Sequence, residues 1–259
     1  TFAIISGALL PPLEKQSIES NSTALIALLV ISFLNTSALV YVTSRSRWSG
    51  WKLILALWFA LFGVLTLQPQ IETAVFIHTL PQGFLFRLFL VGFLFSGVFA
   101  ALLTLILGKR HPSNEVDGVT THLPANISTW VFKLAVIAVV YVAVYFTFGY
   151  FIAWSSPAVR AYYGGGEYNG FLRQLIHTWQ TMPWLFPFQI FRGLLWAAIA
   201  VPVIKMTKGA WWHAGLAVAL LFSVVMNTQL LLPNPLMPYD VRMAHLLETA
   251  SSNFLFAWI

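Results

Sequence analysis

Arg242, His245 and Glu248 follow one another at intervals of three near the start of the last apolar run, "YDVRMAHLLETASSNFLFAWI". An imidazole beside a carboxylate can exchange a proton, and a guanidinium can grip phosphate or carboxylate with two parallel donors. Asp240, just ahead, reads as the N-cap of a helix, its carboxylate accepting from the free backbone N–H groups that follow. At about 100° per residue, residues three apart drift by only about 60° around a helix. His245, Glu248, Ser252 and Asn253 therefore make one polar edge. With a rise of about 1.5 Å per residue, Glu248 stands about 12 Å beyond Asp240. If that run crosses lipid, a carboxylate at such a depth must face protein, a partner or a water-filled cavity.

The expected partners of Glu248 are Arg87 and Arg192, which enter two other apolar runs from the same side. Two chemistries follow. In the leading one, Arg87, Arg192, Arg242 and His177 line an outward-facing polar pocket for an anionic lipid or a small anionic molecule, and His245 and Glu248 are the candidates for proton transfer. In the other, the same charges form a structural cluster that ties helices together and does no chemistry of its own. A metal site drawing on His78, His177, His245 and Glu248 is a third arrangement. His-x-x-Glu at 245–248 is a single element of such a site, with no His-Glu-x-x-His beside it, so no metal or other cofactor is expected. The segment "YYGGGEYNG" lacks the Gly-Lys-Ser/Thr ending of a phosphate-binding loop, and Gly-x-Ser-x-Gly is absent.

The elements that must position these residues are membrane helices. The chain of 259 residues is 59% hydrophobic and 8% charged, against about a quarter charged in a soluble domain. Seven apolar runs stand near 24–43, 51–67, 84–108, 131–154, 184–205, 210–232 and 240–259. Each approaches the ~20 residues that a helix needs to cross hydrocarbon. The expected architecture is an all-α polytopic bundle forming one domain over residues 1–259. It has seven spans, or eight if "TFAIISGALLPP" is what remains of an earlier helix. Eleven Trp, eight Tyr and twenty-two Phe suit aromatic belts at both interfaces.

The formal charge of +6 is spread in ones and twos at run ends, so it orients helices and does not mark a nucleic-acid surface. The stretch "TSRSRWSGWK" places Arg45, Arg47 and Lys52 together and reads as cytoplasmic. Loops 44–50, 109–130 and 205–209 then lie inside a bacterial-type plasma membrane, and loops 68–83, 155–183 and 233–239 lie outside. There is no cysteine, which removes disulfides, thiolate metal sites and cysteine nucleophiles. The expected partners are membrane lipids, an anionic ligand, and a membrane-protein partner or a second copy of the chain.

Two outer segments resemble each other. "FIHTLPQGFLFRLFLVGF" and "LIHTWQTMPWLFPFQIFRGLLW" each run Ile-His-Thr, proline, then Phe-Arg into a span, aligning His78 with His177 and Arg87 with Arg192. A duplicated helix hairpin would explain this. So would proline at a helix start followed by a snorkelling arginine. The run "FLRQLIHTWQTM" predicts a short amphipathic helix on the outer membrane surface. Asn35, Gln189, Asn227 and Gln229 are expected to join helices by hydrogen bonds, and His213 to sit at an interface. A permease is the remaining functional reading. It is disfavoured because the inner halves of the spans carry few polar residues.

Overall fold

The computed structural model describes residues 21–76, 81–111, 126–233 and 237–259, and among these the regular structure is helical throughout. Nine helices appear among the described residues. They are α1 (Asn21–Ser44), α2 (Gly50–Phe76), α3 (Phe84–Ile106), α4 (Ile127–Trp154), α5 (Pro157–Tyr162), α6 (Phe171–Thr181), α7 (Leu185–Met206), α8 (Trp211–Leu231) and α9 (Tyr239–Trp258). Six of them, α1–α4, α7 and α8, are long and apolar enough to cross a membrane. The sequence predicts seven. The seventh, α9, forms a 20-residue helix, but Asp240, Arg242, His245, Glu248 and a run of Thr, Ser and Asn dilute its apolarity. The N-terminal piece that could add an eighth lies outside the described residues.

Three of the long helices widen into a π turn, at Gly63–Leu67, Gly149–Trp154 and Leu220–Val225. In α2 the cause is local. Pro69 has no N–H and its ring crowds the carbonyl four residues back. The wider turn absorbs this, with the Gln68 N–H reaching back to Gly63. Each π turn is followed or flanked by the polar side chains described below.

Close packing holds α2 against α3 and α4 against α7. A Cβ on Gly92 would fall 1.9 Å from the Thr66 hydroxyl, and one on Gly193 would fall 2.9 Å from the Tyr141 Cβ. Only glycine lets these backbones approach so far. The core between α1, α2, α7 and α8 contains Leu53, Leu57, Trp196, Ile199 and Phe222, all nearly or wholly inaccessible. Outward faces are equally apolar: Phe33 and Phe86 are each 72% exposed and Val139 67%.

Among the described residues, the connections 44–50 and 205–209 and the first residues after α3 lie together. Ser46 and Thr207 form an antiparallel bridge. The Arg47 N–H donates to Met206 O at 2.7 Å, Lys208 N–H to Arg45 O at 2.8 Å, and Gly50 N–H to Lys109 O at 2.7 Å. This is called the basic end. The opposite end carries α5, α6 and the start of α9.

Two local expectations change. The cap of α9 is Pro238, in extended conformation, and Asp240 lies in the first turn without a side-chain capping bond. His213 is buried, and its Nδ1 pairs with the Tyr41 hydroxyl at 2.8 Å, joining α8 to α1. The amphipathic helix α6 forms as expected, with Leu172, Ile176 and Trp179 exposed on one face at 58–70%.

Candidate functional site

At the α6 end the polar side chains fall into two centres. The first is built on Arg192, the eighth residue of α7 and only 3% exposed. Its Nη1 donates to Glu72 Oε1 at 2.5 Å and to Gln189 Oε1 at 3.1 Å, and its Nε donates to Gln68 Oε1 at 3.2 Å. Gln68 Nε2 returns a bond to the Arg192 carbonyl at 3.1 Å. The guanidinium lies over the Tyr141 and Phe188 rings, 5.9 Å from each centroid. Gln68 and Glu72 come from the turns of α2 just after its π turn, and Gly193 brings Tyr141 of α4 up to α7. A buried guanidinium tolerates loss of water only when its donors are met and its charge is balanced. Here Glu72, 35% exposed, supplies that charge.

The second centre lies on α9. Glu248 is 8% exposed. Its Oε2 lies 2.8 Å from His245 Nδ1, one turn back on the same helix. The other ring nitrogen, His245 Nε2, lies 3.3 Å from the Tyr163 hydroxyl. With Nδ1–H donating to the carboxylate, Nε2 of a neutral imidazole is left to accept from the phenol. Burial pushes the Tyr163 phenol up to about 12, helped by Tyr162 and by the carboxylates of Glu72 and Glu248. The phenol therefore keeps its proton at neutral pH. Tyr163 is the C-cap of α5, and Gly164 and Gly165 after it turn the chain away with φ of 96° and 80°. Arg160 anchors that turn by donating to the carbonyls of Trp154 and Ser155 at the end of α4.

Glu248 Oε1 faces the π turn of α4: a Cβ on Gly149 would stand 3.5 Å from it. No described residue donates a hydrogen bond to this oxygen. Further along α9, Thr249 donates to Asn227 Oδ1 at 2.7 Å, and Asn253 donates to Phe222 O at 3.2 Å. The polar edge read from the sequence is thus real, and it faces the interior. Ser252 and Asn253 are buried on it.

The arginine-lined pocket is not assembled as the spacing suggests. Arg87 is exposed at the start of α3 and has no side-chain partner among the described residues. Arg242 is buried, but its Nη1 donates to Leu230 O at 2.9 Å and to Leu232 O, closing the end of α8. Its guanidinium also lies over the Tyr239 ring. His177 is exposed on α6 and meets none of them. Glu248 pairs with His245 and not with an arginine, because Arg192 is taken by Glu72. The aligned pair Arg87 and Arg192 occupies unlike environments, the fourth and the eighth residues of their helices, so the proposed duplication has no counterpart at these positions. His78 lies outside the described residues, and among those described no three of His, Cys, Asp and Glu come together to hold a metal.

Sequence reasoning missed Glu72, Gln68, Tyr141 and Tyr163. The signal for the first two was faint: "QPQIE" places Gln68 and Glu72 at i and i+4, on one face of a helix, but the proline between them reads as a loop. No family model matches this chain, and no curated protein or solved structure matches it.

Proposed function

We propose that the chain is an integral membrane protein of seven spans, with the basic end in the cytoplasm, that binds a small polar ligand at the α6 end through Glu248, His245 and Tyr163. The observation that carries this reading is the state of Glu248. It is a buried carboxylate with one oxygen held by His245 and the other accepting no hydrogen bond from the described residues. The Glu248 side chain is 11% exposed, so that oxygen is open to a donor from outside the chain. The ligand is accordingly a hydrogen-bond donor or a cation, in place of the anion that the arginines suggested. An intramembrane carboxylate held in this way is a functional feature by default.

Support for a seventh span comes from the faces of α9. Arg242, Glu248, Ser252 and Asn253 are buried in the bundle, whereas Leu247, Phe254 and Leu255 are 40–63% exposed. A helix at a water interface would be turned the other way. The exposed apolar face of α6 fits a helix lying in the headgroup region.

A structural or assembly role without a ligand is the second reading, and the Arg192–Glu72 centre favours it, because the Nε and Nη1 donors of that guanidinium are met within the chain and its charge is balanced by Glu72. Thermal unfolding in detergent separates the two. Wild type, Glu248→Gln and Tyr163→Phe are compared with and without an extract of native membranes. Binding at Glu248 predicts that the extract raises the Tm of wild type and that this rise is lost in Glu248→Gln. A Tm that ignores the extract, together with a large fall in Glu248→Gln alone, would leave α9 a purely structural element.

A further inference from the structure

At the basic end, hydrogen bonds between three connections draw cationic side chains into one cleft. Arg47, Lys109, His111 and Lys208 line a cavity of about 260 Å³ together with Trp48 and Ser49. The backbone explains the convergence. Gly108, with φ of 67°, turns the chain at the end of α3 so that the Lys109 N–H reaches back to Thr104 O and the Lys109 carbonyl accepts from Gly50. Gly50 itself has φ of 56°, and a Cβ there would stand 3.1 Å from the Arg110 carbonyl. The Arg47 Nη2 donates to Thr207 O at 3.0 Å, and its Nε is buried without a partner. The Lys109 Nζ donates to Ser46 O at 3.0 Å, which holds its ammonium group at the cleft.

A second cavity adjoins this cleft through Trp48. It is an open apolar groove of about 500 Å³ between α2 and α7, lined by Trp51, Leu55, Phe59 and Pro202, with Lys52 at its mouth. The groove follows α2 from the basic end toward the middle of the bundle, as far as its tenth residue, Phe59. A cationic cleft that opens onto an apolar groove matches a molecule with an anionic head and a hydrocarbon tail. We propose that this pair of cavities is a binding site for an anionic phospholipid, its phosphate held by Arg47, Lys109 and Lys208 and one acyl chain laid along Trp51, Leu55 and Phe59. Guanidinium and ammonium groups are the usual recognition elements for a phosphate head. The inference does not depend on the Glu248 site, which lies at the opposite end.

The test uses the whole chain purified in a neutral detergent, with phosphatidylglycerol, phosphatidylcholine and inorganic phosphate as probes. Retention of lipid by native mass spectrometry and the shift in Tm are both read. Phosphatidylglycerol should be retained and should raise the Tm, while phosphatidylcholine and inorganic phosphate should do neither. Lys109→Gln and Lys208→Gln should each weaken phosphatidylglycerol binding by about fivefold, and the arginine variants at the same positions should restore it. Leu55→Trp, which fills the groove and leaves every charge in place, should also reduce retention. Equal retention of both lipids would overturn the proposal, as would stabilisation by inorganic phosphate alone. If Lys208→Gln retains phosphatidylglycerol as wild type does, the cationic cleft is not the headgroup site.

Discussion

Arg192 and Glu248 are both buried ionisable residues on long helices, yet their surroundings give them different work. Arg192 has three side-chain acceptors, one of which, Glu72, is its counter-ion. Removing Glu72 leaves that charge unbalanced. Glu72→Gln should therefore lower stability by up to about 3 kcal/mol, the low end for a buried pair because Glu72 is partly exposed. Arg192→Met should restore part of the loss in the double variant, which a double-mutant cycle in detergent would show. Tyr163 gives a pH signature. Its folded value of about 12 lies above the ordinary 10, so the folded state holds this proton more tightly than the unfolded chain does. Its contribution is whole below pH 10 and fades as pH rises toward 12. The difference in Tm between wild type and Tyr163→Phe should shrink over that range, and a constant difference would contradict the assignment. The sequence made the His245–Glu248 edge legible because i, i+3 spacing is a property of one helix. The partners of Arg192 were not legible, because Gln68 and Glu72 are more than a hundred residues away and no short-range pattern encodes which helices touch.

Helix by helix, much of the fold follows from run length and apolarity, and the departures have local causes. Helix α2 continues to Phe76, where the sequence predicts an end near 67, because a π turn accommodates Pro69 where a proline ordinarily stops a helix. This extension is what carries Glu72 to Arg192. The π turn of α4 likewise places Gly149 opposite Glu248. Asn126, which fits a glycosylation triplet, caps α4 by accepting from the Ser128 N–H at 3.1 Å. Helix contacts made through glycine are the most sensitive to change. Gly92→Ala would drive a methyl into Thr66 of α2 and should cost about 1–3 kcal/mol, the usual penalty for overpacking. Unfolding in detergent would register it as a lowered Tm. Gly83→Ala at the N-cap of the same helix, where nothing stands within 4 Å of a new Cβ, involves no such clash and carries only the strain of its positive φ.

For the molecule as a whole, the two ends differ in chemistry. The basic end gathers Arg and Lys through backbone pairing between connections, and the α6 end holds the described carboxylates and a cluster of tyrosines. Such asymmetry is what orients a helical bundle in a membrane. The proposed Glu248 site requires α9 to cross that membrane with Glu248 turned inward, for on any other placement the carboxylate is an ordinary interfacial acid. The chain has no cysteine, so single cysteines can report on sidedness directly. The measurement is labelling of Tyr168→Cys and Ile259→Cys in sealed, oriented vesicles with a membrane-impermeant thiol reagent. With α9 spanning the membrane, the two positions are labelled from opposite sides. Labelling of both from the same side would place α9 along the surface and contradict the assignment of Glu248 to an intramembrane site.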